Sequence, residues 1–130
     1  MRHEFPYIEK DGRYFPVVEI TLNHQEKEIT VKALVDSGAS FSVFSPEIAE
    51  YLGIKLAKGK KVYLTGIGGR ILGYIHSVAL TLGNKTFPCK IVFSPEFKVS
   101  FNLLGRDNFF TPFVISFIEK RKKVVVADVI

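Results

Sequence analysis

Eight consecutive residues, Ala33-Leu34-Val35-Asp36-Ser37-Gly38-Ala39-Ser40, end an apolar run in a carboxylate and follow it with a hydroxyl and a glycine. Taking a carboxylate out of water is costly unless it is paired or hydrogen-bonded. Ser37 places a hydroxyl next door, and Gly38 lets the chain turn sharply enough for backbone amides to approach the charge. A carboxylate held in this way is a candidate for proton transfer. The plain alternative is an Asp-Ser-Gly turn between ordinary elements, since such tripeptides suit turns. Its place after a continuous apolar strand favours the functional reading.

Three other groups of residues carry potential chemistry. Gly66-Ile67-Gly68-Gly69 invites comparison with a phosphate cradle. However, Ile71 stands where the third glycine of the dinucleotide fingerprint belongs, and a strand follows where a helix is required. That leaves a tight hairpin turn without function, or a lid that opens for a polymer substrate. Cys89 is the only cysteine, so no intrachain disulfide forms, which suits a reducing compartment. It follows Pro88 in an apparent strand with no histidine partner in its segment, and reads as a buried, inert thiol. His3, His24 and His76 share no ligand spacing, so no metal site is expected.

These groups need elements to position them. Asp11-Gly12 reads as a turn between two short extended pieces. Phe15 to Leu22 alternates, with Val18, Ile20 and Leu22 on one face. Ile29, Val31, Ala33 and Val35 share one face of a second strand, and the polar turn Asn23 to Glu26 joins the two as a hairpin. Ser45-Pro46-Glu47 opens a short helix with Ser45 as cap, Ile48, Ala49, Tyr51 and Leu52 as its apolar face and Gly53 as its stop. Lys61 to Thr65, Arg70 to Leu82 and Phe87 to Phe93 are extended. A helical turn is expected through Phe110, and Phe113 to Ile118 and Val124 to Ile130 are closing strands. The sum is a mostly β fold with two short helical pieces.

The segment Ala33 to Ser40 resembles the active-site loop of aspartic peptidases, where hydrophobic residues precede an Asp-Ser/Thr-Gly motif. Asn102-Leu103-Leu104-Gly105-Arg106-Asp107 is similar to the segment of two hydrophobic residues, Gly, Arg and Asn or Asp near the C-terminal helix of retroviral proteases. Thr65 to Gly69 is similar to their glycine-rich flap tip. The three occur in the family's order, and the likeness runs from about Val17 to Val126. Ser45 to Ala49 and Leu52-Gly53-Ile54 look more like the cellular and bacterial retropepsin-like domains than the viral enzymes. The resemblance implies a single retropepsin-like domain over residues 1–130. Its fold would be a closed or partly open acid-protease β-barrel with one or two short helices and a flap hairpin.

It also implies roles. Asp36 would be catalytic, with Ser37, Gly38, Ala39 and Ser40 completing its loop and Ser37 bonding across a dimer axis. Gly66, Ile67, Gly68 and Gly69 would form the flap over the substrate, and Arg106 would be structural support for the loop. Aspartic peptidase chemistry needs two carboxylates around one water, sharing one proton because like charges so close cannot both ionise. This sequence has one Asp-Ser-Gly, and Asp11, Asp107 and Asp128 lack its context. A twofold homodimer supplies the pair. One departure stands out. Viral enzymes carry a carboxylate two residues after the motif's glycine, and this chain has Ser40, so the usual ion pair for Arg106 is missing there.

Composition agrees with a globular chain of 130 residues, 47% of them apolar. The formal net charge is +5. Much of it lies in Lys55 to Lys61 and Lys120 to Lys123, read as solvated turns, and the aromatic interleaving of an RNA-reading sheet is missing. No run approaches membrane-spanning length and no signal segment is evident. The expectation is therefore a cytoplasmic homodimer acting on a peptide or protein substrate, with no nucleic acid or membrane partner, no metal and no cofactor. The alternative is a catalytically silent dimer of the same fold that binds peptides or a partner protein. A small basic barrel binding nucleic acid is the remaining reading.

Overall fold

Pro16 splits the stretch that the alternation presents as one strand. The computed structural model describes residues 1–66, 69–98 and 100–129. Before Pro16 it has β1 at Arg2–Pro6, β2 at Ile8–Lys10 and β3 at Arg13–Phe15, and after it β4 at Val17–His24. Proline has no N–H for a ladder, and the Pro16 carbonyl instead accepts from Val35 N at 2.9 Å. Strands β2 and β3 form a small hairpin of their own. Its turn residues Asp11 and Gly12 both have positive φ, 53° and 76°, which suits the twist of a two-residue hairpin.

Strand β5 (Lys27–Val35) lies antiparallel to β4, from Val17 opposite Leu34 to His24 opposite Lys27. There follow β6 (Ser42–Phe44), helix α1 (Pro46–Tyr51), β7 (Lys60–Gly66), β8 (Gly69–Leu82), β9 (Lys85–Phe93) and β10 (Asn102–Leu104). Among the described residues these strands make one sheet in the order β4-β5-β10-β6-β9-β8-β7. The long strand β8 also pairs with β4, Leu22 lying opposite Leu80, so the sheet closes on itself. Closure leaves few free edges. Only the outer half of β8, paired with β7, projects from the ring as a hairpin. The expected barrel, flap hairpin and short helical pieces are thus the observed architecture.

The alternating faces fill the barrel. Val18, Ile20 and Leu22 of β4, Ala33 and Val35 of β5, and Val78, Leu80 and Leu82 of β8 are buried together with Phe44, Ile91, Phe93 and Leu104. Ile48, Ala49 and Leu52 bury the inner side of α1 against them. Ser45 precedes the helix but makes no side-chain capping bond. Its N–H donates instead to Asn102 Oδ1 at 3.0 Å. Gly53 stops the helix with φ at 74°. The helical turn expected through Phe110 is short and irregular. Asp107 and Asn108 break the helical backbone, Asn108 with φ at 67°, and Asn108 Oδ1 accepts from Lys90 N of β9 at 3.0 Å, which ties the turn to the sheet.

Strands β11 (Phe113–Ile118) and β12 (Lys123–Asp128) close the chain. The N-terminal strand β1, not anticipated from sequence, lies on the other side of β12. Both edges of the apolar run Val124-Val125-Val126 are therefore taken within the chain, and these residues are buried. The ends are pinned by charge: the Met1 ammonium meets Asp128 Oδ2 at 2.9 Å, and Lys85 Nζ meets Oδ1 at 2.9 Å. Among the described residues no helix is long and apolar enough to cross a membrane.

Candidate active site

Asp36 follows directly on β5, and β10 lies parallel to the end of that strand, Leu104 beside Val35. Asp36 N donates to Leu104 O at 2.9 Å. The loop then folds back on itself. Gly38 N donates to Asp36 Oδ1 at 2.9 Å and Ala39 N to Asp36 O at 3.2 Å. A side chain at Gly38 would put its Cβ 3.3 Å from that same Oδ1, tighter than an ordinary contact. The sequence therefore places a glycine where the backbone must approach the carboxylate.

The far side of the loop is stitched to the segment after β10. Arg106 N donates to Ala39 O at 2.9 Å and Asp107 N to Ser40 O at 2.8 Å. Gly105 N donates to the buried Ser42 Oγ at 3.0 Å. Gly105 lies so close to the loop that an added Cβ would stand 2.3 Å from Phe41 O. It is through backbone groups that Arg106 holds the loop. Its side chain is exposed, and among the described residues it makes no ion pair. Ser42 is a residue that sequence reasoning missed; an isolated serine in a short apolar strand carries no signal of its own.

Two clefts flank the loop. One, of about 630 Å³, is lined by Gly38, Ala39 and Ser40 on the loop side and by Tyr63, Thr65, Gly66, Gly69 and Ile71 of the β7–β8 hairpin opposite. Ile67 and Gly68, expected at the hairpin tip, lie outside the described residues. Gly66 and Gly69 pair across the tip, and Gly69 has φ at 117°, open to glycine and strained for other residues. The hairpin is clamped partway along, at Leu72 opposite Tyr63. Ser94 Oγ donates to Leu72 O, and Leu72 N donates to Glu96 Oε1 at 2.5 Å, so both polar groups of one flap residue are held. The Arg70 guanidinium lies over the Tyr63 ring, 4.1 Å from its centroid.

The second cleft, of about 670 Å³, holds Asp36 itself. Asp36 is half-buried and Ser37 is exposed. Leu34, Phe15, Phe101 and Leu103 give this cleft apolar walls, and Lys10, Asp11 and Arg13 come to it from the β2–β3 hairpin. The sequence reading recognised the Asp11-Gly12 turn but not that it delivers charged residues to the carboxylate. Cys89, by contrast, is fully buried away from both clefts, and burial pushes its thiol up to about 12. Among the described residues no cluster of three or more His, Cys, Asp or Glu is placed to hold a metal.

Comparison with known proteins follows the same lines. The sequence profile of the aspartyl protease family matches residues 18–108. DNA damage-inducible protein 1 of Cryptococcus neoformans is 36% identical over 92 residues, covering 68% of this chain and 21% of that protein. Protein DNA-DAMAGE INDUCIBLE 1 of Arabidopsis thaliana is 32% identical over 92 residues, covering 67% and 22%. The chain spans about a fifth of the length of these curated relatives. Its fold is similar to a retropepsin-like aspartic protease from Rickettsia conorii, with a TM-score of 0.72 at 20% identity, covering 96% of this chain and 98% of that one. It is also similar to the EIAV protease complexed with the inhibitor HBY-793, with a TM-score of 0.57 at 18% identity, covering 76% and 88%.

Proposed function

This chain belongs to the aspartyl protease family, and we propose that it is an endopeptidase that works as a homodimer, each copy contributing Asp36. The observation that carries the reading is the placement of Asp36 at the start of a backbone-bonded loop, half-buried in one cleft while Gly38, Ala39 and Ser40 of the same loop line a second cleft that faces the β7–β8 hairpin. Only one Asp-Ser-Gly exists per chain, so the second carboxylate comes from a second copy.

In the proposed reaction one Asp36 is ionised and the other protonated. The ionised carboxylate takes a proton from water, and the resulting hydroxide attacks the scissile carbonyl carbon. The protonated Asp36 of the other copy donates a hydrogen bond to the carbonyl oxygen as negative charge develops there. The tetrahedral intermediate then collapses, the carbon–nitrogen bond breaks, and a proton passes from the carboxyl pair to the departing nitrogen. Ser37 is proposed to bond across the twofold axis and hold the two loops together. Gly66 and Gly69 are proposed to let the hairpin open for an extended peptide and close over it.

The test is cleavage of a mixed peptide library, read by mass spectrometry from mildly acidic to neutral pH, with the Asp36→Asn protein alongside and the assembly state followed by sedimentation. Parent cleavage that disappears in Asp36→Asn while the dimer persists supports the assignment. Equal cleavage by both proteins refutes it. A dimer that cleaves nothing at any pH points to a silent peptide-binding module.

A further inference from the structure

The β2–β3 hairpin brings two cations to the cleft that holds Asp36. Lys10 and Arg13 lie directly opposite each other in the antiparallel register, so their side chains share one face with Ile8 and Phe15. Both line the Asp36 cleft. Like charges directly opposed across two strands repel. Among the described residues, neither has an ion-pair partner within hydrogen-bonding reach. The neighbouring Asp11 forms no ion pair with them and offsets one of the two charges. Lys10 is held in place from below, its Nζ 5.2 Å from the centre of the Phe101 ring. Phe101 in turn packs on Phe15, with centroids 5.1 Å apart. The result is a cationic mouth over an apolar wall of Phe15, Leu34, Phe101 and Leu103, ending at the catalytic candidate.

We propose that Lys10 and Arg13 form a specificity subsite that takes a carboxylate side chain of the substrate, glutamate above all, at a position flanking the scissile bond. The methylenes of a glutamate fit against the apolar wall while its carboxylate meets the two unpaired cations. Binding that anion removes the repulsion between Lys10 and Arg13. This assignment rests on the peptidase reading of Asp36 and adds a substrate class to it.

The experiment uses peptides that differ only in Glu, Gln or Lys beside the cleaved bond, and compares kcat/KM for the parent, Lys10→Gln/Arg13→Gln and Lys10→Glu/Arg13→Glu proteins. The parent should favour Glu over Gln about tenfold, the size of one charged hydrogen-bonded contact. That ratio should fall towards one in the Gln/Gln protein, and the Glu/Glu protein should favour Lys. Both side chains are exposed, so thermal melts should confirm that the variants fold. Binding of the same labelled peptides to the Asp36→Asn protein, by fluorescence anisotropy, separates the two readings. If the parent cleaves nothing while Asp36→Asn binds the Glu peptide about tenfold tighter than the Gln peptide, the subsite stands and the peptidase reading falls. Cleavage without a Glu preference, a preference that survives Lys10→Gln/Arg13→Gln, or an absence of peptide binding overturns the subsite.

Discussion

Gly105→Ala tests whether the Asp36 loop is held by close backbone contact. Gly105 has φ at −99° and ψ at −178°, an extended conformation that alanine adopts freely. Any cost must therefore come from what the new methyl meets. It would stand 2.3 Å from Phe41 O, 2.6 Å from Phe41 C and 3.0 Å from Ala39 O, all backbone atoms that no rotamer change can move aside. Relief requires the loop and the segment after β10 to part by about an ångström. That movement stretches Arg106 N to Ala39 O and Gly105 N to Ser42 Oγ, now 2.9 and 3.0 Å. Overpacking costs about 1–3 kcal/mol and each of the two weakened bonds about 1 kcal/mol, giving about 3–5 kcal/mol. With a urea slope of about 2 kcal/mol/M, the unfolding midpoint should fall by about 1.5–2.5 M. Gly53→Ala is the control: φ there is 74° but nothing lies within 4 Å, so only backbone strain of about 1 kcal/mol applies. Unfolding is followed in urea at one fixed protein concentration, because any self-association makes stability depend on concentration. A Gly105→Ala midpoint no lower than that of Gly53→Ala refutes the reasoning. The Asp36 loop would then have slack that its hydrogen bonds do not reveal.

Two further outcomes follow from the packing and charges elsewhere. Cys89 should resist thiol reagents at pH 8 in the folded protein and react fully in denaturant, because burial holds its thiol near 12 against an ordinary 9.0; rapid native labelling at the unfolded rate would contradict this burial. Asp128 is held below its ordinary 3.8 by hydrogen bonds from the N-terminal ammonium and Lys85. A depressed carboxylate contributes stability that is present above its unfolded value and lost as pH falls through the folded one. Asp128→Asn should therefore lower the thermal midpoint at pH 7 and bring the acid limb closer to flat below about pH 4; an unchanged difference between parent and variant from pH 7 down to pH 2 would remove Asp128 from the account.

How much of the fold the sequence discloses depends on how each strand is buried. β4, β5 and β8 are long and face the barrel on one side, so their period-two pattern is readable. β6 and β10 are three residues each, the first buried throughout and the second only at Leu104, and both are too short to show any period. β1 is a strand only because β12 gives it a ladder, with Arg2 opposite Ala127 and Pro6 opposite Lys123. Its own residues, Arg-His-Glu-Phe-Pro, have little strand preference. Pairing between the first and last residues of a chain is a tertiary fact, invisible to any local window.

The site divides along the same line. The Asp36 loop was legible because its chemistry is local: the carboxylate, the hydroxyl and the glycine whose N–H meets Oδ1 are three consecutive residues. What surrounds it was not, because each neighbour arrives by a long-range route. Leu104 reaches Asp36 through a parallel strand pairing, Ser42 reaches Gly105 across 63 residues, and Glu96 reaches Leu72 across 24. Lys10 and Arg13 show the limit most clearly. Their turn was read correctly as a turn, and their cross-strand register follows from it. Only the long-range pairing of β10 with β5 brings Phe101 against that hairpin and beside Asp36. The Asp36 loop is thus built by bonds within one chain. In the proposed homodimer a second copy would bring only its own carboxylate and loop, so on that reading assembly controls activity without controlling the shape of the Asp36 loop.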